Sequence, residues 1–409
     1  MASLIIKNFQ IKWPITCLLI FYFLILFGPR ISGSFRYEDI FTPILLATLL
    51  LHPYSKKSLK VSVFFLIYLL FIFLLNFYSY SINNLNILSY VIVIKEFTYY
   101  LGYLFTLVIL LDNKNNFNNL VLFEKFLFFC VIVASVYGVS AIFIDSGFYG
   151  ISWISEKAPS LSALIFFNFL VLAVFNYKYL NFNKMLSLLA IFILIFLTFL
   201  VGSRSGMLAL AVFFSIFFLL SLKPIYQIYL SLIVSIIILT IIIVDPNPRE
   251  IMYFLQDLNI DTRSILVPLE RFSTLLVLLE SLEGSRSWSW GVLIEQFYNG
   301  NMLFGCGRGC THLVGETFSL RMAGDTQYLV NLAEIGILGS SLFMLSVISP
   351  IFFISKKYKL IWISYFISYA FWAITTELWL ITKGAQLFWM FSALCIAASF
   401  RDRLKNIET

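Results

Sequence analysis

Charge is what this sequence has least of. Only 12% of its 409 residues are Asp, Glu, Lys or Arg, while 61% are hydrophobic and the mean hydropathy is +0.93. Soluble domains carry about 25% charged residues, so the composition excludes that class and points to an integral membrane protein. Histidine is nearly absent, at two residues. No outward Asp-x-Asp pair or His cluster is present, so the expected cofactor is none and the expected metal is none. The apolar runs lack alternation of period two, which argues against a β-barrel and for helices. No internal repeat is visible, and with it goes the usual sign of an inverted-repeat transporter. A small-x-small cleavage site is missing as well. Lys7, Lys12 and the apolar residues 15–27 are followed by Gly28-Pro29-Arg30, so the first segment reads as a retained helix rather than a signal peptide. The net charge of +7 does not suggest nucleic acid, because most lysines sit in short loops between apolar runs.

What is present is a series of twelve apolar runs, at residues 13–29, 38–54, 60–78, 87–111, 119–144, 161–177, 185–201, 206–222, 225–244, 326–348, 360–377 and 384–400. A helix of about 20 residues spans a bilayer. The expected fold is therefore an all-α polytopic membrane protein with about twelve transmembrane helices and one long outward loop carrying short helices. Residues 1–244 form an N-terminal bundle of about nine spans, 245–325 the long loop, and 326–409 the C-terminal spans with a short tail. The positive-inside rule places both termini in the cytoplasm and the long loop outside. With that orientation the inner cations are nearly all lysine, Lys56, Lys57, Lys125, Lys356 and Lys357 among them. The outer ones are nearly all arginine: Arg30, Arg36, Arg204 and six on the long loop. Topology needs only positive charge. Phosphate recognition distinguishes the two, because a guanidinium offers a planar fork and an ammonium a point charge.

The loop is polar against its surroundings and holds Arg249, Arg263, Arg271, Arg286, Arg308 and Arg321. Long loops of this kind are usually functional. Asp245-Pro-Asn-Pro248 stops the preceding helix. Residues 285–299 read as a short amphipathic helix, with Trp288, Val292, Glu295 and Tyr298 at spacings of three or four and Trp288 and Trp290 at headgroup level. A glycine cluster follows in Gly305-Cys-Gly-Arg-Gly-Cys310, whose two cysteines suit either a disulfide or two free thiols; the spacing decides neither. Cys17, Cys130 and Cys395 lie in apolar runs as packing residues.

Three constellations carry possible chemistry. Gly202-Ser-Arg-Ser-Gly206 puts Arg204 at the outer membrane boundary, either as a snorkelling anchor or facing a polar cavity. Arg286-Ser-Trp288 opens the amphipathic helix, where Arg286 meets lipid phosphate or a substrate. The segment from Asp325 to Gly339 re-enters the membrane. Asp325 suits a helix N-cap, and a carboxylate there keeps its charge, as a base requires. Gly336 and Gly339 allow close helix packing.

Taken together, Gly202-Ser-Arg-Ser-Gly206, the long outward loop with Arg286, and the segment from Asp325 to Gly339 resemble the O-antigen polymerase and O-antigen ligase superfamily of bacterial membrane glycosyltransferases. The resemblance covers roughly residues 200–345. The ligase pattern pairs His with a following Asn, Ser or Gln, then has nine residues and Gly-x-x-Gly. Here Gly336 and Gly339 are in register, but Asp325-Thr326 stands where the His pair would be, which favours a polymerase. The resemblance implies transfer of a glycan from an undecaprenyl-diphosphate donor to the non-reducing end of a second lipid-linked repeat unit, at the outer face of the bacterial inner membrane. Arg204 and Arg286 would stabilise the leaving diphosphate, and Asp325 would take the acceptor proton, with His312 the alternative base. Arg271, Arg308 and Arg321 would hold the second diphosphate or the glycan. Trp288 would stack on a sugar or anchor at the interface. The implied partners are the lipid-linked oligosaccharide, the bilayer and a chain-length regulator, with no nucleic acid.

Overall fold

The computed structural model describes residues 2–28, 30–32, 35–51, 56–83, 87–111, 116–144, 146–147, 150–151, 159–180, 182–201, 203–221, 285–308, 310, 326–374 and 382–408. Twelve α-helices are found among them: α1 (Ala2–Phe27), α2 (Tyr37–Leu51), α3 (Lys56–Asn83), α4 (Ile87–Leu111), α5 (Asn116–Ile144), α6 (Pro159–Phe175), α7 (Lys184–Leu200), α8 (Arg204–Ser221), α9 (Ser285–Asn299), α10 (Gln327–Ile348), α11 (Lys356–Trp372) and α12 (Thr382–Glu408). A π-turn follows α6 and a 3₁₀ turn follows α10. Two very short antiparallel pairs complete the described elements. One joins β1 (Arg30–Ser32) to β2 (Phe35–Arg36) and sets Arg30 opposite Arg36; the other joins β3 (Ser146–Gly147) to β4 (Gly150–Ile151).

Eleven of the twelve apolar runs fall on described residues, and each is helical over most of its length; residues 225–244 lie outside. Among the described residues, five stretches are long and apolar enough to cross a membrane: Lys57–Tyr78, Asn118–Ala141, Leu161–Leu180, Gln327–Phe352 and Lys383–Leu404. The hydroxyls on these helices turn back on their own backbone. Ser62 donates to Ser58 O, Ser135 to Val131 O, Ser392 to Phe388 O and Ser399 to Cys395 O, each at 2.7–3.0 Å. An apolar surrounding offers a hydroxyl no water, so the carbonyl four residues earlier is its nearest acceptor.

The helices fall into two compact units. The first comprises residues 1–126, 283–358 and 373–409. In it α12 lies along α4, and α10 along α3, with α9 on α10. Its centre is aromatic: Phe65 of α3, Tyr100 and Tyr103 of α4, and Trp389 of α12 meet mostly edge to face with ring centroids 4.3–5.9 Å apart. At one end Arg401 grips both oxygens of Glu124 at 2.8 Å, and Lys357 and Tyr358 share Asp402 at 2.8 and 2.9 Å. Of these residues, the positive-inside rule assigns Lys357 and Arg401 to one side of the membrane.

The second unit comprises residues 127–282 and 359–372. Here α6 is the core, with Leu164, Phe166, Phe167, Leu170 and Val171 almost wholly buried, as a helix apolar on all sides must be. Phe167 packs on Phe213 of α8 and on Tyr365 and Trp372 of α11.

Candidate functional site

The site is built around a break in α10. Gly336 has φ 64° and ψ −172°, a conformation essentially confined to glycine. The break removes two helical hydrogen bonds, those that Ile337 N and Leu338 N would make to Ala333 O and Glu334 O. All four groups find partners in the segment that follows α9. Ile337 N donates to Met302 O at 2.9 Å and Leu338 N to Leu303 O at 3.1 Å. In return Cys306 N donates to Ala333 O at 3.1 Å and Gly307 N to Glu334 O at 2.8 Å. Residues 302–307 thus lie in the gap like a short strand. Backbone left unpaired in an apolar segment costs several kcal/mol per group, so a broken helix there requires such an insert.

The two backbones approach so closely that side chains must be absent. A Cβ on Gly336 would strike Leu303 C and O, and one on Gly305, itself at φ 71°, would strike Glu334 C and O. Asn301 folds the insert, its side chain accepting from Leu303 N and Phe304 N at 3.1 and 3.2 Å. Phe304 stacks on Phe71 of α3. A Cβ on Gly339 would meet Phe71 Cε1 at 2.8 Å, so that glycine serves the close packing of α10 on α3. Cys306 and Cys310 are bridged, with Gln296 of α9 donating to both sulfurs. Intact-mass analysis after alkylation of the unfolded, unreduced protein is therefore expected to find three reactive thiols and, after reduction, all five; five before reduction would contradict the bridge.

Inside the bridged turn sits Arg308, fully buried. Its Nη1 donates to Asn331 Oδ1 at 2.7 Å and to Glu334 Oε2 at 3.3 Å, its Nη2 to Tyr68 Oη at 3.3 Å, and its backbone N to Asn76 Oδ1 at 2.9 Å. Gln327 donates to the same Asn331 Oδ1 at 3.0 Å. Gln327, Asn331 and Glu334 recur at spacings of four and three, so they form one polar stripe on an otherwise apolar helix. Glu334 is seven residues into α10, about 10 Å along its axis. Ionisable groups at such depth in an apolar span are rare and mark functional sites by default.

The residues expected from sequence are distributed as follows. Arg308 faces Glu334 rather than an open surface. Arg204 is the first residue of α8, preceded by Ser203, whose Oγ accepts from Gly206 N at 3.3 Å as an N-cap does. Arg286 and Trp288 lie in the first turn of α9, which is helical as its spacing predicts. The side chains of Arg204, Arg286 and Trp288 are outside the description, as are Arg271, Arg321, Asp325 and His312 altogether. The N-cap of α10 is Thr326, one residue later than expected. Leu293 of α9 packs against Leu329, Val330 and Ala333, while Glu295 and Tyr298 of the expected amphipathic stripe are exposed. Glu334, Asn331, Tyr68 and Asn76 were not singled out by sequence, though the polar stripe on α10 was visible there. Among the described residues no three His, Cys, Asp or Glu side chains gather as a metal centre requires.

Comparison with protein-family models and with curated protein sequences returned no match.

Proposed function

We propose that this chain is a polysaccharide polymerase of the O-antigen type, a metal-independent membrane glycosyltransferase of the bacterial inner membrane with twelve spans and both termini in the cytoplasm. The observation that carries the reading is the seating of the loop segment 302–307 in the gap of α10 at Gly336. That contact joins two of the three stretches on which the family resemblance rests. The Cys306–Cys310 bridge supports an outward loop, since disulfides persist on the oxidising side of a membrane. The cluster of Glu124, Lys357, Arg401 and Asp402 supports a common, cytoplasmic side for the opposite end.

In the proposed reaction the bond between the donor sugar's anomeric carbon and the diphosphate oxygen breaks, and its electron pair leaves with undecaprenyl diphosphate. A hydroxyl of the acceptor repeat unit forms the new glycosidic bond and gives its proton to Asp325. Arg204 and Arg286 stabilise the charge that develops on the leaving diphosphate. Arg271 and Arg321 hold the acceptor's diphosphate or glycan, and Trp288 lies against a sugar ring. A chain-length regulator is the expected protein partner.

Asp325→Asn is expected to abolish long surface polysaccharide, and Arg204→Lys to reduce it by about a hundredfold to a thousandfold, because one fixed donor contributes about 3–4 kcal/mol to such a barrier. Gels of extracted surface glycan check both; full-length chains from Asp325→Asn would remove it as the base.

A second reading is favoured by one observation. A broken helix with a buried ion pair also suits a carrier of lipid-linked glycan. Deletion of the gene separates the two. A strain that displays a single repeat unit on its lipid core lacks a polymerase, and one that displays bare core lacks a carrier or a ligase.

A further inference from the structure

We propose that Glu334 and Arg308 are positioning residues: their ion pair fixes the depth at which the bridged loop enters α10, and neither touches substrate. The geometry points this way from both partners. Arg308 presents no surface to a ligand, being fully buried and held at its guanidinium by Asn331, Glu334 and Tyr68 and at its backbone by Asn76. Glu334 meets the loop twice, with its carboxylate on Arg308 and its carbonyl on Gly307 N. The Cys306–Cys310 bridge closes a ring of five residues around Arg308. A charge held inside that ring can reach Glu334 only if the ring sits against α10, so the attraction translates into one depth for residues 302–310. Ile337 and Leu338 then receive their acceptors from Met302 and Leu303 in fixed register. Without the pair, the insert keeps its backbone bonds, the bond from Arg308 N to Asn76 and the packing of Phe304 on Phe71, but loses its tie to the Glu334 carboxylate. The inference rests on the proposed reaction only where product is measured.

Paired cysteines at Met302 and Ile337, two exposed positions joined through their backbones at 2.9 Å, report the register directly. They are introduced into the full chain in native membranes, with the charges intact and in the apolar double variant Arg308→Met/Glu334→Leu, which avoids stranding one charge. Oxidative cross-linking is read by mass spectrometry of the joined peptides. With the pair intact the bond is expected to form readily, and without it about threefold more slowly, as a coupling of about 0.6 kcal/mol would give. Equal rates would overturn the proposal. In the second arm the double variant without the added cysteines is expected to lose about a hundredfold in polymer, the typical consequence of a misplaced loop. The cross-linked double variant is expected to recover most of it. A cross-linked form that remains inactive would assign Arg308 or Glu334 to substrate contact and overturn the proposal. If the unaltered protein makes no polymer at all, the functional reading fails, while the cross-linking rates still decide the positioning role.

Discussion

Glu334→Ala is expected to lower stability by about 3–5 kcal/mol, and Arg308→Met by a similar amount. The reason is asymmetry. Both side chains are almost wholly buried, so removing either leaves the other charged and desolvated without its partner. Removing both as Arg308→Met/Glu334→Leu exchanges a buried pair for apolar volume, a change that is near neutral or stabilising in proteins where it has been made. The double variant is therefore expected to recover most of what each single variant loses. Recovery of monodisperse protein after a heating series gives the measurement, with a shift of about 4–6 °C expected for either single change in a protein of this size. Two single losses that add in the double variant, rather than cancel, would mean that the two groups do not depend on each other.

Gly336→Ala is expected to be nearly as damaging, by a different route. The residue must hold φ 64° and ψ −172°, a region that costs an L-residue about 1–3 kcal/mol. The added methyl would also strike Leu303 C and O, which are backbone atoms with no rotamer to yield. Moving them away breaks the bonds from Ile337 N and Leu338 N, so the expected total is about 3 kcal/mol or more. Gly339→Ala makes the contrast. Its methyl meets the ring of Phe71 and the side chain of Ile335, which can shift, so a smaller loss is expected. Equal thermal shifts for the two variants would argue that the break in α10 is not the source of the sensitivity.

How much of this was legible in the sequence differs from element to element. Long apolar runs without period two gave the helices, because in an apolar medium the backbone has almost no alternative to satisfying itself locally. The helix from Ser285 was legible from its spacing, but the packing of Leu293 was not. Leu293 was chosen by the shape of α10, which periodicity does not encode. Gly336 was visible by its spacing to Gly339 within the resembling segment and was read as packing. That it breaks the helix depends on the insert 302–307, and no local rule links residues so far apart. The same distance hid the ion pair. Glu334 alone looks like a stray charge in an apolar run, and Arg308 looks like one more outward arginine among six. Only the fold shows that a glycine-flanked arginine inside a cysteine bridge reaches a carboxylate 26 positions away. The N-cap was off by one residue, since Asp325 and Thr326 both suit that position and the difference is settled by backbone angles.

The most direct measurement is made with purified protein in lipid vesicles supplied with an undecaprenyl-diphosphate-linked repeat unit, its products separated on a gel. A ladder of longer lipid-linked chains is predicted, absent with Asp325→Asn and formed without added metal. Movement of the glycolipid between leaflets with no lengthening of the glycan would contradict a polymerase and make the seated loop and broken helix parts of a carrier.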